Sequence, residues 1–223
     1  MLIEFNGWAW LIGMVILIVP LTQLRRRSGY YLFFFSVFWV YLLMLVSVTV
    51  FPMPVGMDGG FRFESIWQQI GHMVRFNSLN LVPLYFNNCW DLPRACAIGI
   101  QENILMTVPF GFGINFIARF RSRDFFWLAF GLGLLIESTQ FVFDLILGGA
   151  YRSVDANDVL FNGLGVWIGY GLFLVFAWLF LFMARRIRLS HVGLLAFIRD
   201  VCQAGLAGTA RSSEASSKKE PNP

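Results

Sequence analysis

Acids, amides and one arginine fall in or at the mouths of strongly apolar runs in this chain: Glu102 and Asn103, Glu137 and Gln140, Asp144, then Arg152, Asp155, Asn157, Asp158 and Asn162. Carboxylates can accept hydrogen bonds from ammonium or hydroxyl groups, hold a divalent cation, or carry a proton. Arginine binds phosphate through its planar fork. An ionisable side chain at the centre of a membrane span costs roughly 2.5–3.5 kcal/mol on insertion scales, so each one is a functional-site candidate by default. Glu137, Gln140 and Asp144 stand at i, i+3 and i+7, and so do Asp155, Asp158 and Asn162. That spacing puts each trio on one helical face. The plainer reading is that polar groups hold helices together, at about 0.6 kcal/mol per contact in a membrane. It accounts for Asn103, Gln140 and Asn162, but a mid-span acid such as Glu137 is an expensive way to gain so little. Asp144, Asp155 and Asn157 also suit helix caps and turns.

The elements that must position these residues are membrane helices. Of 223 residues, 57% are hydrophobic and 13% charged, against about 25% charged in soluble domains. Apolar runs at about 7–24, 30–51, 97–118, 125–147 and 158–184 approach the roughly 20 residues needed to span a hydrocarbon core. The expectation is an all-α polytopic membrane protein with about five transmembrane helices plus an exofacial amphipathic or re-entrant segment. The start of the chain carries Glu4 and no Lys or Arg before the first run, so that run reads as a retained helix, not a signal peptide.

The net charge of +4 is no nucleic-acid signal, because the basic residues cluster between apolar runs. Arg25–Arg27, Arg119/Arg121/Arg123 and Arg185/Arg186/Arg188 follow the first, third and fifth runs. The positive-inside rule then predicts an outer N-terminus and a cytoplasmic C-terminus. On that orientation the polar residues above all lie in the outer half of the bilayer. Gly165 and Gly169, and Gly111 and Gly113 beyond Pro109, are small residues that let neighbouring helices approach.

One long connection spans 52–96. Phe63, Ile66, Trp67, Ile70, Met73 and Val74 recur at helical spacing, which predicts an interfacial amphipathic helix over 62–76, with His72 on its polar face. The next stretch, "FNSLNLVPLYF", is too short to span and is interrupted by Pro83, so it fits a re-entrant or interfacial element. Cys89 and Cys96 fit either a disulfide or two free apolar thiols, and Cys202 falls in the tail. No zinc signature is present and no cofactor is implied. Residues 1–188 read as a transmembrane domain. Residues 189–223 read as a cytoplasmic tail, largely disordered, in which "HVGLLAFIRDVCQAGL" forms a short interfacial helix before the polar, disordered "GTARSSEASSKKEPNP".

Three stretches carry a family resemblance: "NLVP" at 80–83, "ENILMTVPFGFG" at 102–113, and "IESTQ" through "YRSVDANDVLFNGLGVWIGY" at 136–170. In order and content they resemble the VanZ-like family of bacterial membrane proteins, with the motif core at about 80–170. The resemblance implies a bacterial plasma-membrane protein and a D-x-x-D pair at Asp155 and Asp158. It also implies matching roles for Arg152, Glu102–Asn103, Glu137–Gln140 and Asn162–Gly165. The family's founding member is linked to teicoplanin resistance; the resemblance implies no particular reaction. The leading expectation is an outward-facing polar pocket for the headgroup of a membrane lipid or lipid-linked envelope precursor. A metal-assisted lipid-modifying enzyme ranks second, since no nucleophile–base pair or catalytic motif is present, and a proton-coupled transporter third.

Overall fold

The computed structural model describes residues 2–54, 66–75, 79–86, 89, 91–147, 153–187 and 193–217. Helix α1 (Gly7–Gln23) begins where the Asn6 side chain accepts from the amides of Trp8 and Ala9, and α2 (Gly29–Thr49) begins at Ser28, which accepts from the Tyr31 amide. Such caps satisfy amides that have no partner within the helix. The two helices form a hairpin. The Trp39 indole donates to the Gly13 carbonyl at 3.0 Å, and β1 (Leu2–Ile3) pairs antiparallel with β2 (Met53–Pro54) across the hairpin's open end. Next come α3 (Ile66–Arg75), β3 (Leu79–Asn80) and α4 (Pro93–Gly113), which starts on a proline and passes into a 3-10 turn at Ile114–Phe116. Then α5 (Asp124–Leu147), β4 (Val154–Asp155), α6 (Ala156–Ile187) and α7 (Leu194–Ser217) complete the chain.

The protein is an all-α, multi-pass membrane protein. Helices α2, α5 and α6 are long and apolar enough to cross a membrane, and α1 is a shorter apolar helix. Helix α4 has 21 residues but carries Gln101, Glu102, Asn103 and Thr107 within them. Each expected run therefore lies on a helix, with ends shifted by a few residues. Leu11, Ile12, Val15, Ile16, Ile18 and Val19 are exposed along α1, an apolar surface of the kind that faces lipid in a membrane protein.

Helix α6 is the central post, packed on both α4 and α5. A Cβ at Gly165 or Gly169 would run into the Ile104 or Val108 carbonyl of α4, and one at Gly111 would run into the Val166 carbonyl of α6. The two backbones touch because these positions have no side chain. On the other flank, Phe125 of α5 stacks on Tyr170 with ring centroids 3.8 Å apart. The buried core continues through Phe110, Phe116 and Phe173.

Two local segments complete the comparison with the sequence. The amphipathic segment is helical over Ile66–Arg75, with Met73 buried and Trp67 exposed; residues 62–65 and 76 lie outside the described part. In the tail, the helix expected within 191–206 is present as α7, which runs on through Ser217 into the polar stretch expected to be disordered. Its low apolar content conceals a docking face. Phe197 stacks on Phe34 at 5.5 Å, Cys202 is fully buried, and Gly205 abuts the Phe173 ring. Burial pushes the Cys202 thiol up to about 11, so it is an inert packing group.

Candidate functional site

Helices α4 and α6 run parallel in a constant register. Thr107 donates its hydroxyl to the Asn162 carbonyl at 2.8 Å. One turn towards the Gly111–Val166 contact the pairing is backbone on backbone. One turn the other way, the Asn103 amide and the Asp158 carboxylate face the same cavity. The spacing i, i+4, i+8 on both helices thus carries one seam from close packing into a polar end.

At that end lies a cavity of about 170 Å³ lined by Asn80, Asn103, Asp155, Asn157, Asp158 and the Cys89–Cys96 disulfide, among others. Its roof is the segment 79–86, held down by a set of specific bonds. Strands β3 and β4 pair in parallel, with Asn80 opposite Asp155. The Asn80 amide donates to Asp155 Oδ1 at 2.9 Å and to the Tyr85 carbonyl at 3.2 Å. Asn157 clamps the same turn from below. Its Oδ1 accepts from the Leu84 amide at 2.5 Å, and its Nδ2 donates to the Tyr85 carbonyl at 2.9 Å. Leu84 itself adopts φ 62°, in the left-handed region that turns use and that side chains other than glycine's enter rarely. The turn therefore rests on its hydrogen bonds.

Asp155 has a double function in this geometry. Its Oδ1 accepts from the Asn157 amide at 2.8 Å, as a cap at the mouth of α6 would. It also faces the cavity. Burial raises its carboxyl above the ordinary 3.8, with the bonds from Asn157 and Asn80 acting in the opposite direction.

The other expected site residues distribute unevenly. Glu137, 5% exposed on α5, accepts from the Asp155 amide at 3.2 Å and so supports the pocket wall from behind. Gln140 is engaged elsewhere: it donates to the Thr49 carbonyl at 3.0 Å, tying α5 to the end of α2. Asp144 is buried further along α5. Asn162 is fully buried one turn below Asp158, and its side-chain amide has no hydrogen-bond partner among the described residues. Glu102 is exposed on α4 and does not line the cavity, because the neighbouring position of a helix points about 100° away. Arg152 lies outside the described residues. Asn80 did not stand out as a site residue from spacing alone; the only signal was its place in "NLVP", ahead of a turn-forming proline. Among the described residues no group of His, Cys, Asp and Glu is arranged to hold a metal ion.

A family model described as VanZ/LLP1 matches residues 38–188. No curated protein and no solved structure is significantly similar to the chain. The match runs from within α2 to the end of α6 and takes in every residue of the acidic cavity, so this chain, over more than half its length, belongs to the VanZ/LLP1 family.

Proposed function

We propose that this protein binds the headgroup of a lipid or lipid-linked cell-envelope precursor at the outer face of the bacterial plasma membrane. One observation carries the reading. Asp155 and Asp158 share a small cavity with the amides of Asn80, Asn103 and Asn157, and no lysine or arginine lines it among the described residues. Such a set of acceptors suits an ammonium group or a cluster of hydroxyls. Arg152, three residues before Asp155, is the candidate for an adjoining phosphate.

The orientation rests on two supports. The basic clusters flank the opposite ends of the helices. The Cys89–Cys96 disulfide lines the pocket, and disulfides persist in oxidising compartments outside the cytoplasm. On this reading the N-terminus is outside and the C-terminus inside. A link to glycopeptide resistance would follow if the bound headgroup belonged to a wall precursor.

A metal-assisted lipid-modifying enzyme is the second reading, since paired carboxylates on one cavity wall are also hard oxygen donors for magnesium or calcium. Mass spectrometry of lipids retained in mild detergent tests both. The wild type should carry a defined headgroup class, and Asp158→Asn should lower its occupancy by about tenfold, the scale of one lost charge-assisted hydrogen bond. Equal lipid content in the two proteins would overturn the binding reading. Turnover of the lipid only with added magnesium would favour the enzyme.

A further inference from the structure

The arginine-rich end of the bundle holds a larger cavity than the acidic end. It measures about 630 Å³ and lies where the start of α2, the 3-10 turn after α4, and α7 meet. Small-molecule sites commonly run about 300–1,000 Å³. The walls divide by chemistry. Arg27, Ser28 and Arg119 are exposed at the rim, whereas Phe116, Phe197 and Val201 are partly or wholly buried in the wall. The Arg27 guanidinium sits over the Tyr31 ring, 5.6 Å from its centroid, which holds it beside the cavity. No carboxylate lines the space, and neither arginine has an acidic partner among the described residues. Helix α2 begins at Gly29, so the positive end of its dipole opens onto the same rim.

Depth selects the ligand. Helix α2 crosses the membrane from Gly29 onward, which puts Arg27 and Ser28 at the edge of the hydrocarbon, where phospholipid phosphates lie. A soluble phosphate would use the rim alone. A lipid would use the rim and the apolar wall together.

We propose that this cavity binds an anionic glycerophospholipid of the leaflet at the arginine-rich end, its phosphate between Arg27 and Arg119 and its glycerol–acyl region against Phe116, Phe197 and Val201. The site is separate from the acidic pocket and does not depend on what that pocket binds. Because α7 supplies one wall, the lipid would join the tail helix to the spans.

The test uses the full chain in mild detergent, titrated with phosphatidylglycerol, phosphatidylcholine and glycerol 3-phosphate and read by native mass spectrometry. Phosphatidylglycerol should bind at least about tenfold tighter than phosphatidylcholine, given roughly fivefold for each of two well-placed arginines. Arg27→Gln with Arg119→Gln should abolish that preference. Arg25→Gln with Arg26→Gln removes the same charge outside the cavity and should leave it intact. All four side chains are exposed, so the folds should survive, as circular dichroism will check. Three results would overturn the proposal: no headgroup preference in the wild type, equal losses from both arginine pairs, or displacement of phosphatidylglycerol by equimolar glycerol 3-phosphate. The last would mark a site for soluble anions.

Discussion

The α4–α6 seam has two halves that differ in what they ask of the chain. In the glycine half, around Gly111, Gly165 and Gly169, the requirement is the absence of atoms, because each backbone occupies the space a side chain would need. In the polar half, around Asn103 and Asp158, the requirement is particular atoms at particular places, most of them facing a cavity. One register serves both. The glycine half fixes how close the helices come, and that distance decides whether an amide on α4 and a carboxylate on α6 share a cavity. The comparison predicts that damage to the first half should unfold the protein, and damage to the second should leave a folded protein that has lost its ligand.

The strongest way to break that division is Gly169→Leu. The new side chain would meet the Val108 carbonyl, which belongs to a helix backbone and cannot move aside. The cost should exceed the roughly 1–3 kcal/mol typical of overpacking. Size-exclusion chromatography should show no monodisperse species; a well-folded variant would mean the two helices are not in contact as described. The Asp158→Asn substitution above is the counterpart in the polar half, with lipid lost and the melting temperature little changed.

Titration sharpens the contrast further. The Asp155 carboxyl is raised above 3.8 by burial in the folded protein. Folding therefore favours its protonated form. Its contribution to stability is full below the unfolded value and declines as pH rises through the folded one. Binding of a cationic headgroup should run the other way, falling as acid neutralises the carboxylate, with a midpoint above 3.8. Asp155→Asn keeps the Oδ1 acceptor for Asn157 and Asn80 and should remove its share of both trends, leaving in the binding trend only what Asp158 contributes. Lipid occupancy and melting temperature measured across pH would expose any trend that persists.

Smaller effects mark the boundary between the halves. Thr107→Val deletes the hydroxyl bond to the Asn162 carbonyl and should cost about 0.6 kcal/mol, seen as a slight drop in melting temperature with unchanged lipid content. Glu102→Gln should change neither readout, because its side chain is exposed and off the cavity. A loss of bound lipid in that variant would enlarge the site beyond the cavity described.

Periodicity and composition were enough to locate the helices and to put Asp155, Asp158 and Asn103 among the candidates. A 20-residue apolar run has few alternatives to a helix in lipid, and an acid within it is conspicuous. They could not separate Glu102 from Asn103, since both are polar and adjacent and only the azimuth of α4 against α6 distinguishes them. They assigned Gln140 to the pocket on its spacing from Glu137, although it reaches the Thr49 carbonyl of α2 instead. Asn80 and Asn157 were the least legible. Their importance lies in bonds across more than 70 residues of chain, to Asp155 and to the turn at Leu84 and Tyr85.

The tail repeats the lesson in another form. The apolar stretch within 191–206 predicts a helix from its composition, but not that Phe197, Cys202 and Gly205 meet an aromatic surface of Phe34 and Phe173. From the sequence alone came the membrane class, the family resemblance, the helices and most of the acids, because those follow from local composition and one-dimensional spacing. Which polar groups share a cavity, which helix faces meet, and where the two cavities lie were decided only by tertiary structure. Those depend on the rotation and separation of helices, which packing between distant segments sets and no local pattern encodes.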